Sequence, residues 1–189
     1  MEESPPLPFY QPDSSKEAVS PTKVQTFKRV DPNDANNSTK INIPIFDSST
    51  GTNEDLLRTI SCFNKSCPKL GWTNGTKKFS NFELVITGAC EATWSRLIEG
   101  VSATNENFVT CIQDFVHSFI SKDDAFFTQR EHLQNVHKTR NMTVRTFILR
   151  LQEYNDLMAE LPGQDPDVDE IFTDVELIRI IYNAMPRIF

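Results

Sequence analysis

Glycine, histidine and cysteine are scarce in this sequence, and their scarcity excludes the common catalytic and metal-binding motifs. The six glycines form neither a G-x-G-x-x-G nor a G-x-x-x-x-G-K run, so the sequence has no phosphate-loop motif. His117, His132 and His137 do not make the H-E-x-x-H pattern of zinc proteases. The four cysteines include no C-x-x-C pair, and we interpret them as small core residues. We therefore expect no enzyme, no cofactor, no metal and no small-molecule substrate.

Long apolar runs and an excess of positive charge are also missing. No apolar stretch approaches the roughly 18 residues needed to span a membrane. The first ten residues lack the basic and apolar regions of a signal peptide, so we place the protein in the cytoplasm. The net charge of −7 argues against a dedicated nucleic-acid-binding protein. The acidic run Gln164–Glu170 has no glycine at its centre, unlike a calcium-binding EF-hand loop, and we interpret it as a solvated loop.

The first part of the chain is rich in proline, serine and asparagine. Pro5, Pro6, Pro8, Pro12, Pro21 and Pro32 all fall within residues 1–40. Such a segment buries too little apolar surface to offset its ordering entropy, so we predict a disordered tail over residues 1–44. Ile41–Phe46 alternates briefly between apolar and polar residues and is expected to lie extended, with Pro44 keeping it out of a central strand.

The clearest structural signal is the helical periodicity of Met142–Gly163. Apolar residues recur there at spacings of three and four, which predicts one buried helix face. That face contains Val144, Phe147, Ile148, Leu151, Tyr154, Met158 and Leu161. Thr143 is placed to cap the helix N-terminus, and Pro162 with Gly163 ends it.

Similar periodicity predicts helices along the rest of the chain after residue 46. Capping boxes begin at Thr52 and Thr173, and Thr104 precedes another apolar stripe. Residues 79–94 are predicted as one helix, although Gly88 in its middle is a poor helix former. The predicted buried face of the last helix consists of Leu177, Ile178, Ile181 and Ala184. No segment alternates long enough to be a strand, so we predict an all-α fold of about six helices.

Basic residues are concentrated between Arg130 and Arg150. Five of them stand against one acidic residue in this window of an otherwise acidic chain. The basic residues are Arg130, Lys138, Arg140, Arg145 and Arg150. The cluster is either a weak contact site for RNA or an acidic partner, or an ordinary solvated set of helix faces.

Several segments, taken in order, resemble the Gag capsid region of long-terminal-repeat retrotransposons. They are Trp94, then Phe108, Phe115 and Phe119, then Gln129-Arg130 with Leu133, then MTVRTFILRLQEYNDL and finally ELIRIIYNAMP. The resemblance covers roughly residues 45–187. Its central part is Val144, Phe147, Arg150 and Leu151, which is similar to the second half of the major homology motif of retroviral capsids. The motif's Gln, Gly and Glu would fall at Lys138, Thr139 and Met142, so its hydrogen-bond network is not reproduced.

The resemblance implies two small helical lobes of retroviral-capsid type, at residues 45–121 and 122–189, hinged near Ser121. Such proteins polymerise into a shell around RNA, so we expect a homo-oligomer that packages element RNA. Arg150 is expected to be tied up inside the second lobe, which leaves Arg130, Lys138, Arg140 and Arg145 as weak RNA contacts. The family usually carries a zinc knuckle downstream, which this chain lacks, and we expect the second lobe to be incomplete. The alternative is a host-adopted helical module that binds proteins or peptides without assembling.

Overall fold

The computed structural model describes residues 23–31, 34–120, 124–138, 142–162 and 171–185. These residues form two compact units, the first ending at Phe119 and the second beginning at Ile120. The prediction from sequence divides the two lobes after residue 121, which lies outside the described residues. Both units are mostly helical, but a small sheet region is also present, so the predicted all-α class is corrected to a mostly helical one.

The first unit combines four α-helices with two small pairs of strands. Its elements are β1 (Val24–Asp31), β2 (Asp34–Pro44), β3 (Phe46–Asp47), α1 (Asn53–Leu70), α2 (Gly75–Phe82), a 3₁₀ turn (Glu83–Val85), β4 (Ile86–Thr87), α3 (Ala89–Ile98) and α4 (Asn105–His117). β1 and β2 form an antiparallel hairpin, and β3 pairs with β4 in parallel.

The hairpin corrects the prediction of a disordered tail over residues 1–44 for its two strands, residues 24–31 and 34–44, whereas residues 1–22, 32 and 33 lie outside the described residues. Phe27, Ile41 and Ile43 share the inner face of the hairpin, and Ile43 is fully buried. The Phe27 ring packs edge-on against Trp72, with 4.8 Å between ring centroids. Overall composition suggested disorder because it averages these few apolar residues with many polar ones. Their burial against the helical part of the unit supplies the stabilisation that the segment lacks by itself.

A second correction concerns residues 79–94, which form two helices rather than one. α2 ends at Phe82, and the chain passes through the 3₁₀ turn and β4 before α3 begins. Gly88 has φ 78° and ψ −144°, a conformation open to glycine but strained for other residues. A Cβ atom at this position would lie 3.1 Å from Asp47 Oδ1. The helix breaks because Ile86 and Thr87 pair with Phe46 and Asp47, a contact distant in sequence.

Aromatic side chains fill the core of the first unit. Phe82 and Trp94 lie 4.7 Å apart between ring centroids, and Phe63 and Phe115 each contact Phe82 edge-on. Phe108 joins the same cluster. These contacts bring four helices to one centre, and aromatic pairs of this kind add about 0.5–1.5 kcal/mol each beyond the area that they bury.

The second unit contains three helices among its described residues, α5 (Ala125–Gln134), α6 (Val144–Met158) and α7 (Asp174–Ala184). Thr143 caps α6 by accepting a hydrogen bond from the backbone N–H of Thr146, as predicted. The capping box at Thr173 and Glu176 starts α7, and the box at Thr52 and Asp55 starts α1 in the first unit. These predicted helix starts are therefore confirmed.

Candidate functional site

The second unit holds the start of α7 in place with a buried amide. Asn155 on α6 is 4% exposed. Its Nδ2 donates to the backbone oxygen of Phe172 at 2.8 Å, and its Oδ1 accepts from the backbone N–H of Phe172 at 2.8 Å. Phe172 is itself buried. Both backbone polar groups of a buried residue are satisfied by one side chain, so the chain entering α7 has a fixed position against α6.

Arg130 on α5 also contacts Phe172. Its guanidinium carbon lies 4.2 Å from the centroid of the Phe172 ring, in cation–π geometry. Its Nη2 also lies 3.8 Å from a carboxylate oxygen of Glu176. Two helices, α5 and α6, thus contact the residue that precedes the N-cap of α7.

Glu176 and Thr173 complete this set of contacts around Phe172. We call Asn155, Arg130, Phe172, Thr173 and Glu176 together the anchor. The carboxylate of Glu176 accepts hydrogen bonds from the backbone N–H of Thr173 at 2.8 Å and from its hydroxyl at 2.9 Å. These two bonds, followed by the charges of Arg130 and Arg179, hold the pKa of Glu176 below its usual value. The carboxylate is therefore charged at neutral pH, where it also suits the positive end of the helix dipole.

Beyond this anchor, α7 presents an apolar face to solvent. Val175, Ile178 and Tyr182 are 70%, 66% and 81% exposed and are spaced three and four residues apart. We call these three residues the α7 stripe. Leu177, Ile180 and Ala184 are buried on the other side of the helix. A shift of two residues turns the helix by about 200°, so α7 has one apolar face in the core and a second facing outward.

The stripe corrects the predicted assignment of Ile178 to the buried face. The prediction from sequence combined two apolar stripes into one, because apolar residues occupy both sides of this helix. Ile180 takes the buried place instead. The signal that identifies the outward stripe is the second i, i+3, i+7 series from Val175 to Tyr182, which core packing does not use.

The four predicted motif residues of the second unit have different environments. Phe147 and Leu151 are 5% and 2% exposed on the inner face of α6. Val144 is 49% exposed, so its assignment to the core is wrong. Val144 begins α6, and the first turn of the helix extends beyond the core. Arg150 donates from Nη2 to the hydroxyl of Tyr154 at 2.8 Å on the same helix.

The predicted RNA contacts are not gathered into one surface by any described interaction. Arg130 is engaged with Phe172 and Glu176. Lys138 follows α5 and donates its backbone N–H to Ala184 at 3.0 Å. Arg145 is exposed in the first turn of α6. Arg140 lies outside the described residues, as do Ser121 and the acidic run Gln164–Glu170.

The described part of the chain offers neither a metal centre nor a membrane span. No group of three or more His, Cys, Asp or Glu side chains there is placed to hold a metal ion. None of its helices combines the length and apolar character required to cross a membrane. In comparisons with known proteins, no family model, no curated protein and no solved structure matches this chain.

Proposed function

We propose that this chain is a structural protein that self-associates through the α7 stripe, as a Gag-like capsid protein of a long-terminal-repeat retrotransposon. The observation that carries the proposal is the exposure of Val175, Ile178 and Tyr182 on one helix face. Exposed apolar residues grouped on one face are typical of protein interaction surfaces. The anchor at Phe172 supports this role, because a helix with a fixed orientation loses little entropy on binding.

The spacing of the stripe favours a second copy as the partner. Its end residues, Val175 and Tyr182, lie on either side of a midpoint next to Ile178. If two α7 helices cross antiparallel at that midpoint, Ile178 contacts Ile178 of the other copy. Val175 then meets Tyr182 of the other copy at both ends of the contact. A self-complementary patch of this kind is what a two-fold symmetric interface requires.

Packaging of element RNA in the cytoplasm forms the second part of the proposal. Its proposed contacts are Arg130, Lys138, Arg140 and Arg145, of which Arg130 also contacts Phe172 and Glu176. So few basic side chains support only non-specific affinity, about 10⁻⁴–10⁻⁶ M near physiological salt. Filter binding of single-stranded RNA to Lys138→Glu/Arg140→Glu should be weaker than to the parent. Sub-micromolar binding that survives both changes would contradict this part of the proposal.

The self-association is tested by light scattering on a size-exclusion column over a range of protein concentrations. The parent is expected to form dimers or larger species, and Ile178→Asp should lower its association strongly, because a charge would be buried in the contact. Leu149→Asp is the matched control, since Leu149 is 56% exposed on α6 of the same unit. Added salt should strengthen the association, because each copy carries a net charge of −7 and salt screens their repulsion.

Two results would refute the proposed interface. One is a parent protein that stays monomeric at every concentration. The other is equal loss of association in Ile178→Asp and Leu149→Asp. A monomeric parent whose α7 stripe binds an apolar peptide would instead favour a helical binding module that does not assemble.

A further inference from the structure

Among the described residues, the hairpin in the first unit has two outer edges that no further strand pairs with, one on β1 and one on β2. The backbone N–H of Ile45 donates to the oxygen of Lys23 at 2.8 Å, immediately before β1 pairs with β2. Bonded and non-bonded pairs alternate along an antiparallel ladder, so the pair Val24–Pro44 is non-bonded. Pro44 has no N–H to donate, which agrees with its place in a non-hydrogen-bonded pair. The residues of β1 whose backbone groups point away from β2 are therefore Val24, Thr26, Lys28 and Val30.

We call the outward groups of these four residues the β1 edge. Within the described residues the sheet contains β1 and β2 only, so no further strand pairs with this edge. No backbone hydrogen bond from another described element reaches it either. The side chains of the same four residues lie on the outer face of the hairpin, where Val24 is 48% and Val30 is 47% exposed. An exposed edge of this length is a template for another strand.

We propose that the β1 edge pairs with the β1 edge of a second copy, antiparallel and centred on Phe27, to form a four-stranded sheet. In an antiparallel pair, residues directly opposite each other have their side chains on the same face of the sheet. A two-fold axis that relates two copies of β1 must therefore pass next to one residue, which then lies opposite the same residue of the other copy. Centring on Phe27 places Val24 opposite Val30 and Thr26 opposite Lys28. All four pairs join outward groups with outward groups, which gives about eight main-chain hydrogen bonds.

The charges of the hairpin favour the strand alignment centred on Phe27 over the alignment centred on Lys28. Centring on Lys28 would place two Lys28 side chains opposite each other. Lys28 already lies directly opposite Lys40 within its own hairpin. A further like charge beside this pair is unfavourable, whereas the register centred on Phe27 places Lys28 opposite the hydroxyl of Thr26. In this register the segment VQTFKRV, residues 24–30, places valine opposite valine at both ends and no like charges directly opposite each other, which favours a second copy as the partner.

The inner face of β1 is already occupied within its own unit. Phe27 packs against Trp72, and Arg29 Nη1 donates to the backbone oxygen of Lys69 at 3.2 Å. The hairpin is therefore held on α1, and the 3₁₀ turn also lies close to β1. This contact does not depend on the α7 stripe, which belongs to the second unit.

Proline substitution tests the edge directly, because it removes one N–H and leaves the hairpin ladder intact where that N–H points outward. Lys28→Pro removes an N–H from the β1 edge. Lys40→Pro is the matched control: it removes the same charge at the position directly opposite, on β2, whose outward groups face the other side of the hairpin. Both variants are made in the Ile178→Asp protein, so that the α7 stripe does not contribute. Sedimentation velocity over a concentration series measures the association.

The Ile178→Asp protein should still show a monomer–dimer equilibrium, Lys28→Pro should abolish it, and Lys40→Pro should leave it unchanged. A monomeric Ile178→Asp protein, or equal effects of the two prolines, would overturn the proposal. Hydrogen exchange over residues 24–44 checks that the hairpin still forms.

A charge exchange keeps the proposal testable even if the prolines disrupt the hairpin. Val24→Lys/Val30→Lys places like charges opposite each other at both ends and should weaken dimerisation about tenfold or more. Val24→Lys/Val30→Glu places opposite charges there and should restore it. If both double variants weaken association equally, the register is wrong.

Discussion

Replacement of Asn155 gives the sharpest test of how α7 is positioned. Asn155 is 4% exposed, and its amide makes hydrogen bonds with both backbone groups of Phe172 at 2.8 Å. Asn155→Ala leaves a backbone N–H and a backbone C=O buried without partners. Each unsatisfied buried group costs about 1–3 kcal/mol, so the expected loss of unfolding free energy is about 2–6 kcal/mol. Much of the stability of a small helical unit would be lost.

The loss is measured by thermal and urea denaturation of the whole chain, with the transition of the second unit followed by hydrogen exchange in α7. One kilocalorie shifts the melting temperature of a domain of this size by about 4–8 °C, so the transition should fall by about 8 °C or more. Protection should be lost first near Phe172 and Thr173. Gln152→Ala, an exposed position on the same helix, is the control and should change little.

Asn155→Asp adds a dependence on pH that packing alone does not explain. A charged carboxylate at this position can accept from the N–H of Phe172 but has no hydrogen to donate to the Phe172 oxygen. Protonation supplies that donor, and burial raises the pKa of the new carboxyl group in the folded state. The variant should therefore gain stability as the pH falls, relative to the parent. If Asn155→Ala melts within about 2 °C of the parent, or Asn155→Asp shows no such gain, the amide does not hold α7 in place.

Three further predictions concern single residues. Phe147→Ala should lower the unfolding free energy of the second unit by about 3–5 kcal/mol in urea titrations, because it empties a buried site, and a near-parental midpoint would contradict the register of α6. Because the pKa of Glu176 is lowered in the folded state, its stabilisation is full above the ordinary glutamate pKa and is lost as the pH falls through the lowered value. Glu176→Gln should flatten that acid dependence of urea unfolding, and an unchanged slope would refute it. Burial raises the pKa of the Cys67 thiol to about 11, so mass spectrometry should find Cys67 alkylated much more slowly than the half-buried Cys62 at neutral pH, and equal rates would show that the site opens.

Helix starts could be predicted from the sequence because capping is local. Thr52, Thr104, Thr143 and Thr173 each accept a hydrogen bond from the backbone N–H three residues later, and each is identifiable from its neighbours alone. The chemistry of such a cap depends on four consecutive residues. Tertiary packing does not need to be known for it.

The strands could not be predicted in the same way, because their stabilising contacts are distant in sequence. Phe46 and Asp47 pair with Ile86 and Thr87, and this pairing breaks the helix predicted through Gly88. Two paired residues give no recognisable alternation. The hairpin has a clearer period of two at Ile41 and Ile43, but polar residues surround them, and Trp72, against which Phe27 packs, comes much later in the chain.

The α7 stripe and its anchor show a different limit of sequence reasoning. Periodicity identifies which residues are apolar, but not which of two apolar faces a helix buries. Which face is buried depends on where α7 starts, and Asn155 fixes that start through its hydrogen bonds to Phe172. Asn155 is polar, so an analysis of hydrophobic periodicity does not identify it. The capsid motif would place a buried network near Lys138 and Met142, where this sequence lacks the motif's residues. The network of the second unit instead joins Asn155 and Arg130 to the entry of α7.

The position of this network bears directly on the proposed self-association. All of its bonds end on Phe172 or on the capping residues that follow, so they act on the orientation of α7 rather than on the packing of α6 alone. A helix held in this way keeps its outward stripe in one place relative to the rest of its unit. Side chains determine what that stripe can bind, whereas the β1 edge offers mainly backbone groups. The two proposed contacts therefore differ in how substitutions affect them, since the stripe is sensitive to any charge and the edge chiefly to proline and to its own charges.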